Sequence, residues 1–255
     1  MESKIYFIGA GPGNPELITL KGHRLIASAD VIIYAGSLVN PEVFAHCKET
    51  AKVHNSATMD LQEIIQVMTD AVLANLSVAR IHTGDPSIYG SIREQIEELD
   101  KLNIRYEVVP GVSSFTAAAS VLCREFTVPE ISQTVICTRF EGRTPVPELE
   151  QIELLASHQT SMAIFLSVQM MGALVAKLTT HYPSNTPIAV IEKATWVDQR
   201  IIKGTLADIA QKVEQAGIRK TAMILVGRFL GDEFNNSKLY DAHFTHEYRE
   251  GSVEI

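Results

Sequence analysis

Cysteine is scarce in this chain of 255 residues, which has three, Cys47, Cys123 and Cys137, far apart in sequence. An odd, scattered set fits neither a disulfide framework nor a zinc pattern, so each is read as a small buried hydrophobe. Positive charge is also in deficit, with 22 Lys and Arg against 30 Asp and Glu and a net charge of −8. Phosphate backbones demand a surplus of basic residues, so nucleic acid is not an expected partner. A small anionic ligand is compatible with that balance, because a few local arginines can override it. No apolar run approaches membrane-spanning length, and no membrane association is expected. The opening residues, MESKIYFIG, run straight into a strand and lack the basic lead and apolar core of a secretion signal. The expectation is a soluble, cytoplasmic protein.

Several catalytic signatures are missing. There is no GxxxxGK(S/T) loop, nucleophile elbow, HExxH or Ser-His-Asp pattern, so neither a hydrolase nor a resident metal is expected. His243 and His246 fall in a polar tail and read as a solvated surface pair. His54 and His82 sit near strand ends and read as core histidines with satisfied hydrogen bonds.

What is present is a globular composition, 46% hydrophobic and 20% charged. Short apolar runs alternate with segments of 3.6-residue period, which predicts a mainly parallel sheet covered on both faces. Strands are expected at 4–9, 31–34, 77–82 and 105–109, with helices at 19–29, 61–73 and 91–102. Beyond Pro110 and Gly111 a helix begins at SFTAAASV. Strands follow at 133–138, 162–166, 188–192, 200–203 and 223–227, with helices at 147–157, 168–180 and 206–216. The pattern predicts two α/β domains, 1–110 and 111–231, and a C-terminal extension at 232–255.

Two loops carry the chemistry. HTGDPSIYG at 82–90 follows an apolar strand and delivers a glycine, a carboxylate and a proline to its C-terminal end, where open α/β sheets bind ligands. GAGPG at 9–13 follows the first strand and invites a dinucleotide-binding reading. That reading fails: Asn14 stands at the third-glycine position, Pro12 removes an amide, and YAGS at 34–37 ends the second strand without a carboxylate. The small residues Thr116, Ala117, Ala118 and Ala119 allow close helix packing, or close approach of a ligand to a helix N-terminus.

These motifs resemble those of the tetrapyrrole (precorrin and uroporphyrinogen) methyltransferase family. The likeness lies in GAGPGNPELITLKG at 9–22, ADVIIY at 29–34, TGDPSIYG at 83–90 and PGVSSFTAAA at 110–119, and extends over most of 4–231. It implies the tetrapyrrole methylase fold, two α/β domains with S-adenosylmethionine as methyl donor in the cleft between them, usually within a homodimer. Within the family, YAGSLV at 34–39, EFTVPE at 125–130, SQTVI at 132–136 and TRFEGRTPVPE at 138–148 resemble the precorrin-4 C-11-methyltransferases of cobalamin synthesis, a group that often acts on cobalt-precorrin-4. Uroporphyrinogen methyltransferases carry an aspartate–arginine pair where this chain has Ala35 and Gly36, so their proposed acid/base apparatus is not carried over.

By resemblance, cofactor contacts fall on Pro12, Gly84, Asp85, Ile88, Thr116, Ala117, Leu166, Ala194, Thr221 and Ala222. The resemblance implies catalysis by alignment in a water-poor cleft, with the electron-rich carbon of the macrocycle attacking and no catalytic residue named. Asp85 is assigned to cofactor binding. The resemblance implies a polycarboxylate substrate, so Arg139 and Arg143, four apart in a loop, are candidates for its acetate or propionate arms; a solvated loop is the alternative. Rival functions are a nonenzymatic tetrapyrrole carrier, a methyltransferase for another carbon of uroporphyrinogen-III or a precorrin, and one acting on a protein side chain as in diphthine synthesis.

Overall fold

The computed structural model describes residues 4–234 and 236–252. It divides into two compact units, the first running to Ala117 and including Lys193–Gln199, the second comprising Ala118–Glu192 and the chain from Arg200 onward. The expected boundary at Pro110 thus lies seven residues before the observed one, because beyond β5 (Tyr106–Val109) the first turn of α4 (Ser114–Val121) also stays with the first unit. The tail forms no unit of its own and groups with the second.

The first unit is built on β1 (Ile5–Gly9), β2 (Val31–Tyr34), β3 (Lys52–Asn55), β4 (Val78–His82) and β5, in the order β3-β2-β4-β1-β5. Every pairing is parallel. Alternate residues feed two cores: Ile8, Ile32 and Ile81 pack with Ile26 of α1 (Leu20–Ser28), while Phe7, Ile33 and Val78 pack with Met68 of α2 (Leu61–Leu73) and Leu99 of α3 (Ile92–Lys101). A parallel sheet with both faces covered is the expected outcome for such apolar strands. The neighbours β1 and β4 send their helices to opposite faces, which opens a crevice beyond their C-terminal ends, the topological switch point of the sheet.

The second unit departs from the expected parallel arrangement. Its sheet runs β6-β7-β10-β8-β9, formed by β6 (Val135–Arg139), β7 (Ser161–Phe165), β8 (Pro187–Glu192), β9 (Arg200–Thr205) and β10 (Ala222–Val226). Only β6 and β7 pair in parallel; β10 is antiparallel to β7 and β8, and β8 to β9. The seven residues of Lys193–Gln199 joining β8 to β9 are too few for a parallel crossover. The helices are shorter than their periodicity suggests: α5 is Ile152–Ala156, α6 Met171–Leu178 and α7 Ile209–Gln215, with 3-10 turns ahead of the first two. Their apolar faces meet the sheet through Ile152, Leu174, Ile209, Ile164 and Ile224. Cys123 and Cys137 are exposed, Cys137 on the edge strand β6, so the expectation of three buried cysteines is corrected for these two.

At the N-terminal ends of β2 and β4 a carboxylate joins the strands. Asp30 accepts from Lys48 Nζ at 2.6 Å and from the Ser77 N–H and hydroxyl, both at 2.9 Å. The Lys48 bond, then the two Ser77 bonds, hold its carboxyl at about 2, below the ordinary 3.8. A depressed carboxyl stabilises the fold above its unfolded value and loses that contribution as pH falls through the folded one. Solvent screening at this half-open site reduces the gain to about 1 kcal/mol. Asp30→Asn is therefore expected to lower unfolding free energy by about that amount at pH 7, and the gap from wild type should close between pH 4 and pH 2. Urea titrations across that range, giving a pH-independent gap, would contradict the assignment.

Candidate active site

At the switch point three backbone segments meet without side chains between them. Gly11 and Gly84 form an isolated antiparallel bridge, Gly84 N–H donating to Gly11 O at 2.8 Å and Gly11 N–H to Gly84 O at 3.2 Å. Both adopt left-handed φ, +78° and +61°. A Cβ on Gly9 would lie 2.6 Å from Gly84 O and from Gly111 Cα, and one on Gly111 would lie 2.2 Å from Gly84 O. Only glycine permits such contact.

Asp85 fastens this assembly. One carboxylate oxygen accepts from Gly111 N–H at 2.8 Å, and the other from the Ser87 N–H and hydroxyl at 2.8 and 2.5 Å. Burial alone would raise its carboxyl; the bonds from Ser87 and Gly111 outweigh that and hold it below the ordinary carboxylate range. Asp85 is thus ionised at neutral pH, and both its oxygens are engaged in shaping the loop. Ile88, half-buried, follows in the same turn, its N–H bonded to Asp85 O.

The segment Lys193–Gln199 closes over the first loop. Trp196 Nε1 donates to Pro12 O at 2.9 Å, and Asn14 N–H donates to Thr195 Oγ1 at 3.0 Å. The indole lies so close to Gly13 that a Cβ there would be 2.1 Å from Cδ1. Lys193 and Thr195 have φ of +49° and +71°. For a β-branched residue this is a strained backbone costing about 1–3 kcal/mol, held by surrounding contacts. Gln199 Oε1 accepts from Thr195 N–H at 2.6 Å and Lys193 pairs with Asp198. Ala194 sits buried inside this turn.

Of the remaining expected residues in the first unit, Ala117 is buried at the start of α4 and Thr116 is exposed, its hydroxyl donating back to Ser113 O at 2.8 Å. Gly84 lies against that helix start, since a Cβ on it would be 3.6 Å from Ser114 N. The structure thus brings Gly84, Asp85 and the first turn of α4 together.

In the second unit Leu166, Thr221 and Ala222 gather at one end of the sheet. Leu166 directly follows β7, Thr221 precedes β10, and Ala222 is registered opposite Glu192 of β8. Leu166 and Thr221 have φ of +56° and +52°, and Leu166 presents an apolar side chain 71% exposed. Arg139 ends β6 beside Phe165, at this same end. Its guanidinium is committed to its own loop, donating to Thr144 O at 3.0 Å and Pro145 O at 2.6 Å. Arg143 is exposed on that loop.

Sequence reasoning passed over Thr195, Trp196 and Gly111, which fasten the loops. It also misread His82: its Nε2 is buried without a partner, so its hydrogen bonds are not satisfied. Among the described residues no group of three metal-ligating side chains occurs, and no helix is long and apolar enough to cross a membrane.

Comparison with known proteins places this geometry. A family model described as tetrapyrrole (corrin/porphyrin) methylases matches residues 4–210. The chain is 55% identical over 248 residues to a cobalt-precorrin-4 C(11)-methyltransferase of Methanocaldococcus jannaschii, covering 96% of each. It is 48% identical to a precorrin-4 C(11)-methyltransferase of Pseudomonas aeruginosa, covering 97% of this chain and 99% of that one. A solved cobalamin biosynthetic enzyme, cobalt precorrin-4 methyltransferase, superposes with a TM-score of 0.87 at 44% identity, covering 89% of this chain and 95% of the other.

Asp85→Asn would keep an acceptor toward Ser87 but set an amide N–H₂ against Gly111 N–H, or the reverse. The expected cost is about 1–3 kcal/mol of folding stability, read by urea unfolding at pH 7. The wild-type advantage should fade as pH drops below the ordinary carboxylate range. Equal stability of the two proteins at pH 7 would mean that the three loops hold without the carboxylate.

Proposed function

The chain belongs to the tetrapyrrole (corrin/porphyrin) methylases, and from that premise we propose that it methylates precorrin-4, or its cobalt complex, at C-11 in cobalamin synthesis. The observation that carries this reading is the pair of glycine loops clamped at the switch point, in a chain alike over nearly its whole length to relatives named for that reaction. A nonenzymatic carrier would have no use for those loops.

S-adenosylmethionine supplies a methyl group on a sulfonium. The residues present suit that cofactor: small side chains and glycines on the loops, one ionised carboxylate, and apolar surfaces on Ile88 and Leu166. We assign cofactor contact to Pro12, Gly84, Asp85, Ile88, Thr116, Ala117, Leu166, Ala194, Thr221 and Ala222. Rigid loops fix the cofactor's position, and positioning alone can contribute roughly 7–11 kcal/mol at the upper end through effective concentration. Asp85 acts by organising the loop and by its charge; beside a sulfonium it favours binding over transfer, because positive charge disperses in the transition state.

Of the two loop arginines, Arg143 is the one left to meet a carboxylate arm, while Arg139 shapes the loop that presents it. Arg143→Ala is expected to raise KM for the tetrapyrrole about tenfold, the value of a charged hydrogen bond, with cofactor KM unchanged. A change within twofold would remove this loop from the site.

The protein is further proposed to act as a homodimer in the cytoplasm. The exposed aromatics Phe234, Tyr240 and Tyr248 on the tail are consistent with association, and light scattering giving the 28.1 kDa of one chain at all concentrations would refute the dimer. The function itself is tested by mass spectrometry of product formed from S-adenosylmethionine and precorrin-4, with and without cobalt. A gain of one methyl at C-11 is expected. Methylation of uroporphyrinogen-III instead would favour the alternative of another tetrapyrrole methyltransferase.

A further inference from the structure

Arg80 and His82 lie two residues apart on β4 and so share the sheet face covered by α2 and α3. Arg80 is 5% exposed and His82 4%. No carboxylate among the described residues pairs with Arg80. Its Nε donates to Gln95 Oε1 at 3.1 Å, and its Nη1 to Ser56 Oγ at 3.0 Å and Ile33 O at 3.4 Å, all neutral acceptors. Gln95 is itself held in place, its amide donating to Ser91 O at 2.9 Å. Nη2 donates to none of the described residues. Burial lowers the guanidinium to about 10, so it keeps its charge at neutral pH.

His82 adds an unsatisfied atom beside that charge. Burial first, and then the positive Arg80, hold its imidazole at about 3, against the raising effect of a hydrogen bond to the Gly90 backbone. The ring is neutral, and Nε2 has no partner. Both side chains line one cavity of about 290 Å³, together with Ala35, Thr83, Ile88 and Tyr89. Glu94 also borders it, but is exposed to solvent and makes no ion pair with Arg80. A buried cation without a counter-charge is strongly unfavourable, and a buried polar nitrogen without a partner adds to the cost. Here they border the same open space.

We propose that this cavity is a carboxylate subsite that receives one acetate or propionate arm of the tetrapyrrole, with Arg80 supplying its counter-charge. The inference rests on the function proposed above and adds a contact to it. Charge at the buried part of the wall selects the ligand class: one guanidinium and a neutral imidazole balance a single negative charge, while Glu94 is exposed and screened by solvent, so a carboxylate fits better than a phosphate dianion. The apolar part of the wall, Ala35 and Ile88, accommodates the methylenes of the arm. The methionine end of the cofactor carries the same carboxylate chemistry, and Ile88 borders both the cavity and the proposed cofactor loop, so the test must separate the two sources.

Dissociation constants are to be measured for S-adenosylmethionine alone, and for precorrin-4 in the presence of S-adenosylhomocysteine, on wild type, Arg80→Gln and Ala35→Leu. Ala35→Leu fills the cavity and leaves the Arg80 hydrogen bonds in place, so it reports even if Arg80→Gln fails to fold. Tetrapyrrole affinity should fall about ten- to a hundredfold in each folded variant, with cofactor affinity within twofold of wild type. Unchanged tetrapyrrole affinity in Ala35→Leu overturns the subsite. Loss confined to the cofactor overturns the arm and assigns the cavity to the methionine carboxylate. Wild-type protein that binds precorrin-4 without methylating it would overturn the proposed function and leave the subsite standing.

Discussion

Backbone meets backbone where Gly9, Gly84 and Gly111 converge, and the first unit is arranged around that approach. With a Cβ on Gly111 sitting 2.2 Å from Gly84 O, no side chain fits, and no rotamer relieves the contact because both partners are main chain. The constraint draws together the C-terminal ends of β1 and β4 and the chain just beyond β5. It also explains why Asp85 binds Gly111: once the loops are this close, their amides need acceptors, and one carboxylate serves both the Ser87 turn and the third loop. A tight, hydrogen-bonded floor of this kind leaves little to reorganise when a ligand arrives, which is the condition for catalysis by positioning.

The same floor is finished by a segment distant in sequence. Thr195 and Trp196 bond to Asn14 and Pro12 across more than 180 positions. The Trp196 N–H satisfies the Pro12 carbonyl, and the indole occupies the space that a side chain at position 13 would need. The left-handed backbone at Thr195 is the strained part of that arrangement. Strain persists where surrounding contacts over-determine a conformation, and here two hydrogen bonds to Thr195 and the packed indole do so.

Much of this was legible in the sequence where burial imposes a period. Strands β1 and β2 are largely apolar runs because both faces of their sheet are covered, and α2 falls on the 61–73 that its spacing predicts, with Asp60 capping it. The edge strand β3 was missed because its residues are largely exposed and carry no apolar pattern. The direction of the second sheet is not carried by alternation of strands and helices; the short β8–β9 link, too brief for a parallel crossover, is the feature that encodes it. At the site, glycine and carboxylate in TGDP announced a ligand loop. Trp196 gave no such sign, since its role depends on a tertiary contact. In the sequence Arg80 is one polar residue in an apolar strand, and only the lack of an ion pair to it among the described residues separates it from an ordinary buried salt bridge.

That distinction matters for how an acidic protein handles an acidic substrate. A net charge of −8 repels a polycarboxylate at long range, but within about 8 Å at physiological salt the local arrangement dominates. An arginine on an exposed loop, such as Arg143, is screened, and a pair made there contributes about 0–1 kcal/mol unless binding desolvates it. Arg80 is already desolvated, with its cost carried by the folded protein before any ligand arrives. An anion reaching it gains an interaction that water does not compete for, and repays part of that cost. Orientation follows as well as affinity, because three of the groups around the guanidinium, Gln95, Ser56 and Ile33, fix its plane. A macrocycle with several similar arms can be held in one rotation only if at least one arm is recognised more strongly than the rest, and a buried, rigid cation provides that inequality.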